Sequence, residues 1–178
     1  MSGLCVEPID AKHIRISGIE PFLANCLEGV ADVLEKRDLP QVRERLFPDP
    51  TPANIKMNED WQKLISPDLR HLFVSAGDIV TRDLTGLSED PRETGSYLVT
   101  FPTEHLNAWM SALNEARLIL GELFHITEKD LNRKKFDGAG ARTLAIIRIH
   151  MLGYLLQLLV EFETGNTGVG RDEPKDSV

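Results

Sequence analysis

The feature that most constrains this chain is the stretch LAIIRIHMLGYLLQLLVEF at residues 144–162, almost all of it apolar. A run of this length either crosses a hydrocarbon layer about 30 Å thick or is covered by the rest of the protein. Arg148, His150, Gln157 and Glu161 interrupt it, and each is costly in lipid. The stretch is therefore read as a core helix spanning 139–163. On a 3.6-residue wheel Thr143, His150, Gln157 and Glu161 make one narrow polar stripe, Arg148 falls roughly opposite, and the remainder is apolar. A helix with so little wet surface is expected at the centre of a bundle.

The other segments supply what such a helix needs around it. The periodicity predicts an amphipathic helix over 20–37, with Phe22, Leu23, Cys26, Leu27, Val30, Val33 and Leu34 on its buried side. One helical turn follows in LPQVRERLFPDPTP, stopped by Pro48, Pro50 and Pro52. A short helix capped by Asn58 runs to Leu64, and Ser66-Pro67-Asp68 starts a longer one to Thr85 that buries Leu69, Leu72, Phe73, Ala76, Ile79, Val80 and Leu84. A further helix is predicted over 104–125, with Thr103 as its N-cap, followed by the polar connector TEKDLNRKKFDGAGA with one helical turn. Gly138 and Gly140 in that connector read as a hinge. HIRISGI alternates and ends at Gly18, and YLVTF is its partner. Two isolated strands are marginal alone, so they should pair and be covered by helices. The expected fold is mainly α: a single-domain bundle of four to six helices, residues 1–163, with a small two-stranded antiparallel β pair and a central apolar C-terminal helix. The tail TGNTGVGRDEPKDSV, residues 164–178, has too little apolar content to order itself.

Charge and cysteine content narrow the function classes. A formal net charge of −8 opposes non-specific binding to nucleic acid or to an anionic membrane surface. Cys5 and Cys26 form no Cys-x-x-Cys pair and fit a reducing compartment, where both are expected to be at least partly buried thiols. The N-terminus MSGLCVEPIDAKHIRIS carries acids and a proline where an export signal needs a basic start and an apolar run. A cytoplasmic protein is expected, with no nucleic-acid or membrane partner.

No motif for a reaction stands out. The spacing Glu122-Leu-Phe-His125 matches that of carboxylate-bridged metal bundles, and Asp68-Leu-Arg-His71 echoes it. Both pairs fall on polar faces, so solvated surface is the better reading, and neither metal nor cofactor is expected. There is no Gly-x-Ser-x-Gly elbow and no phosphate-loop spacing. Of the five histidines, His150 is the best acid/base candidate, because Gln157 and Glu161 share its stripe; with Arg148 they define a candidate polar cluster. Six of the 20 basic residues, Lys129, Arg133, Lys134, Lys135, Arg142 and Arg148, fall within 20 positions. A solvated loop accounts for them more simply than a docking patch for an acidic partner, for which Arg133, Lys134 and Lys135 are the candidates.

The stretch LNEARLILG, 113–121, places Arg117 inside the edge of an apolar arc made by Leu106, Trp109, Leu113, Ala116, Leu120, Leu123 and Phe124. A buried guanidinium needs a carboxylate. Asp83, on the apolar side of its own helix, is the expected partner; Asn114 would satisfy spare donors, and Glu161 and Glu163 compete. Gly121 is expected to admit a neighbouring backbone.

With LFPDP at 46–50, LRHLF at 69–73 and above all AWMSALNEARLILGELFHI at 108–126, the chain resembles DUF2017, an actinobacterial-type family of unknown function. The likeness covers about residues 14–162, and the long segment fits the family's Trp, Leu-Asn, Arg-Leu and Leu-Gly pattern. The resemblance implies a small, soluble, mostly helical bacterial protein with no assigned catalytic residues. It also implies a tie to regulated proteolysis, because family genes tend to lie beside that of the Clp protease adaptor. The basic RKK run and the glycine-rich tail have no counterpart in the family pattern.

The expected function is that of a non-enzymatic interaction or regulatory protein with an unidentified protein partner. Its long apolar helix would also allow a homo-oligomer. The alternative is a small-molecule or metal-dependent enzyme centred on His150.

Overall fold

A computed structural model describes residues 3–51, 53–132 and 140–167. The chain is mainly α, with eight α-helices among the described residues and a four-stranded antiparallel sheet in the order β1-β2-β4-β3. The strands are β1 (Cys5–Pro8), β2 (His13–Ile19), β3 (Ser88–Glu89) and β4 (Tyr97–Pro102). The predicted pairing of HIRISGI with YLVTF is present, with Ile14 opposite Phe101 and Ile16 opposite Val99, and a bulge between Ile16 and Ile19. The expected two-stranded pair is too small. CVEP adds an outer strand through Val6 opposite Ile16, and two residues of the loop after residue 87 extend the other edge. Both additions are short, four residues and two, which is why no alternation is readable in sequence.

The helices are α1 (Pro21–Glu28), α2 (Val30–Leu34), α3 (Pro40–Leu46), α4 (Ile55–Leu64), α5 (Ser66–Leu84), α6 (Leu106–Leu123), α7 (Glu128–Leu131) and α8 (Ala141–Thr167). The helix expected over 20–37 is divided at Gly29 and finishes as a 3-10 turn, Glu35–Asp38. Asn54, in place of Asn58, caps α4: its side chain accepts from Met57 N at 3.1 Å, while Asn58 Nδ2 donates to Thr51 O. Thr103 opens a 3-10 turn and caps nothing.

The predicted centre of the fold is displaced. It is α6, and not the C-terminal helix, that lies in the middle, touching α2, α3, α5 and α8. Within α6 only Asn107 and Asn114 are exposed. Trp109 stacks on Phe101 of β4, ring centroids 4.6 Å apart, and so joins the helical layer to the inner face of the sheet. Helix α8 packs one side on α6 and α1 through Ile149, Leu152, Leu155 and Leu159. Its other side is uncovered, with Leu144 and Tyr154 exposed, and Val160 is exposed towards its C-terminal end. By length and composition α8 could cross a membrane over Ala141–Gly165, but its buried side is part of the same core as the sheet and α6. Total apolarity points to the wrong helix because centrality depends on how many faces are met. The small side chains Ala112 and Ala116, both 0% exposed, let α6 be approached from several directions.

Candidate functional site

The unusual chemistry of the molecule is concentrated on α6 and begins with a charge that no motif in the sequence marks. Glu115 lies on the same helical row as Ala112 and Ile119 and is 0% exposed. Arg37, at the end of the first helical segment, reaches it with two bonds, Nε to Oε1 at 2.8 Å and Nη2 to Oε2 at 3.3 Å. This two-pronged geometry is the one that best offsets the desolvation of both ions. Burial pushes the Glu115 carboxyl up from its ordinary value and Arg37 pulls against it, with burial prevailing. The pair fits because residue 77 is glycine: a Cβ there would stand 3.0 Å from Arg37 Nη2 and 3.1 Å from Leu34 Cδ1. The sequence signal is weak: Glu115 lies well outside the apolar arc that runs from Leu106 to Phe124, and only Ala112 and Ile119, one turn to either side, mark its row as a second buried face.

The expected pair of Arg117 with Asp83 is absent. Asp83 does face the core from α5, as read, yet its carboxylate is taken by two other donors. Trp109 Nε1 donates to it at 2.9 Å, and His105 Nδ1 lies 2.9 Å from the same oxygen. A buried indole N–H demands an acceptor, so the tryptophan had the prior claim. Asn114 is exposed and makes no bond to Arg117 either.

Arg117 itself is half-buried, and its Nε is fully enclosed without a hydrogen-bond partner. Burial alone pulls its pKa down from the ordinary arginine value. The guanidinium lies against the backbone of α8 at Gly153, where a Cβ would be 3.1 Å from Cζ and Nε and 3.2 Å from Nη2. Close approach is thus the property of Gly153, and not of Gly121, beside which there is open space. That space belongs to a hollow of about 180 Å³ bordered by Arg45, Asn114, Arg117 and Glu122 on its polar side and by Leu118, Ile126 and Ile149 on its apolar side.

The candidate cluster on α8 does not assemble. His150, Gln157 and Glu161 are exposed along one outer stripe, and Gln157 Nε2 donates to Glu161 Oε1 at 2.8 Å. Arg148 is turned to the other side, beside buried Cys26, whose thiol pKa is raised by burial and lowered less by that guanidinium. The convergence an enzyme centred on His150 requires is missing. Cys5 is exposed, contrary to expectation, and both thiols are unpaired.

The basic run separates by role. Arg142 clamps the start of α8: it donates to Asp130 Oδ2 at 2.7 Å, to His125 O at 3.0 Å and to Phe124 O at 3.2 Å. Asp130 also accepts from the Thr127 hydroxyl at 2.7 Å and the Thr127 N–H at 2.9 Å, closing a capping box on α7. The Thr127 bonds first, then Arg142, hold the Asp130 carboxyl at about 2. Arg133, Lys134 and Lys135 lie outside the described residues, as does Gly138. Glu122 lies 3.7 Å from Arg45, while Asp68 and His71 are exposed. Among the described residues no three His, Cys, Asp or Glu side chains are grouped as a metal ion would need.

No significant similarity connects the chain to a curated protein or to a solved structure. A family model described as a domain of unknown function, DUF2017, matches residues 18–162. That span holds the Glu115–Arg37 pair, the Asp83 acceptor and the Arg117 hollow, and on it the chain belongs to the DUF2017 family.

Proposed function

We propose that this DUF2017 protein is a cytoplasmic, non-enzymatic interaction protein that self-associates through the outer side of α8. The observation that carries the reading is the spacing of the apolar residues along that side. Leu144, Ile147, Met151, Tyr154 and Leu158 recur at intervals of three and four, the seam that one helix offers another. Leu144 and Tyr154 are exposed, 38% and 51%, and the other three are half-buried. His150 and Gln157 flank the strip as a polar rim would. A second copy brings the same strip, so a two-fold pairing of the two α8 helices buries both at once.

Light scattering on the full chain at micromolar concentration tests this. A dimer is expected for the wild type and a monomer for Tyr154→Glu, with unchanged circular dichroism. A wild-type monomer removes self-association. The proteolysis connection implied by the family is tested separately, by asking whether the purified Clp adaptor binds the wild type and loses Tyr154→Glu.

A further inference from the structure

Arg117 presents a problem that its own chain does not solve. Asp83 is occupied by Trp109 and His105, Glu115 by Arg37, and no described residue accepts a hydrogen bond from the Arg117 guanidinium. A second guanidinium, Arg45 of α3, borders the same hollow. Its nearest acid, Glu122, is 3.7 Å away, beyond the length of a good charge-assisted bond. Two cations thus meet one carboxylate around a space that Gly121 leaves empty. The opposite wall is made of Leu118, Ile126 and Ile149. A polar edge with surplus positive charge and an apolar wall is the pattern of a small-molecule site, in which a few polar groups orient a mostly apolar ligand. Inorganic phosphate would leave the apolar wall unused, and a neutral hydrocarbon would leave the guanidinium unpaired.

We infer that this hollow between α3, α6 and α8 binds a small carboxylic acid with a short apolar body, its carboxylate on Arg117 and its hydrocarbon against Leu118, Ile126 and Ile149. The volume of about 180 Å³ suits a body of branched-chain or single-ring size. Arg117 is pre-positioned for this by lying flat on the Gly153 backbone, which limits the freedom a planar fork gives up on binding. The site is separate from the uncovered strip of α8 and stands whether or not the chain self-associates.

Isothermal titration calorimetry of the full chain with sodium 3-methylbutanoate tests the inference, with 3-methylbutanamide, acetate and inorganic phosphate as the other arms. Saturable binding with a dissociation constant of about 1 mM or below is expected. The amide and acetate should bind at least about tenfold more weakly, one lacking the charge and the other the body. Arg117→Met should lose at least about tenfold in affinity for 3-methylbutanoate. Gly121→Leu, which fills the hollow without touching Arg117's charge, should abolish binding and serves if Arg117→Met fails to fold by circular dichroism. Failure of the wild type to saturate, equal binding by a folded Arg117→Met or Gly121→Leu protein, or tighter binding of phosphate than of 3-methylbutanoate would each overturn it.

Discussion

Glu115 and Arg117 stand two residues apart on α6, yet the fold treats them in opposite ways. Glu115 is fully enclosed and met by a guanidinium that has a glycine, Gly77, cleared for it. Arg117 is enclosed at Nε, rests on another glycine, Gly153, and is met by no acid. The first charge locks the beginning of the chain to the central helix. The second is held in place by packing and left electrically open, so only the first should matter greatly to stability.

The largest effect should come from removing Arg37. Arg37→Met strands a buried carboxylate and should cost about 3–5 kcal/mol in a urea titration, with Glu115→Leu in the same chain restoring most of it. A cost under about 1 kcal/mol, typical of a surface pair, would erase the contrast. Next, Asp83→Ala leaves the Trp109 N–H without an acceptor and should cost about 1–3 kcal/mol, read by the same titration. The two glycines give a direct comparison. Gly77→Ala pushes on an arginine that is fixed by its acid and should cost about 1–3 kcal/mol, whereas in Gly153→Ala the unbound guanidinium can move aside at the lower end of that range. Equal losses on thermal melting would mean that Arg117 is pinned as firmly as Arg37.

Smaller still, Arg117→Met should change stability by about 1 kcal/mol or less, in either direction, because the desolvated charge it removes has no partner to lose. Acid titration supplies the last test. The Asp130 carboxyl is held at about 2, below its unfolded value near 3.9, so its contribution is present above pH 4 and is lost as the pH falls from about 4 towards about 2. Glu115 has the opposite sign: its raised pKa gives a contribution that is full below the unfolded value and lost as pH rises through the folded one. Stability profiles of Asp130→Asn and Glu115→Gln, each subtracted from the wild type, should therefore slope in opposite directions across the acid range.

Much of the architecture was legible because it rests on period and punctuation. The alternation in HIRISGI and YLVTF gave the two central strands and their pairing, and α3 ends at Leu46, just before Pro48 and Pro50. The placement of Asp83 on a buried face was also readable. What could not be read was allocation. The wheel shows that an acid and an arginine both face inward, but it does not say that a tryptophan N–H and a histidine reach the acid first. The Glu115–Arg37 pair spans 78 positions, and nothing local to either residue points to the other. The identity of the central helix failed for a related reason. Apolar content measures what a helix can bury, and the six other helices and the sheet decide which of α6 and α8 is surrounded.

The position of α6 in the chain has a consequence for how the protein is made. The strand β2 finds its partner β4 only at residues 97–102, and Arg37 finds Glu115 later still. At ribosomal speeds of about 5–20 residues per second, the first helices and strands wait about 5–20 s for the element that completes them. During that interval Ile14, Ile16, Leu23 and Leu27, all sealed in the finished protein, have no core to enter. Until the sixth helix leaves the exit tunnel these residues stay open to aggregation, and slowing translation across residues 37–106 should lower the soluble yield more than slowing it after residue 123.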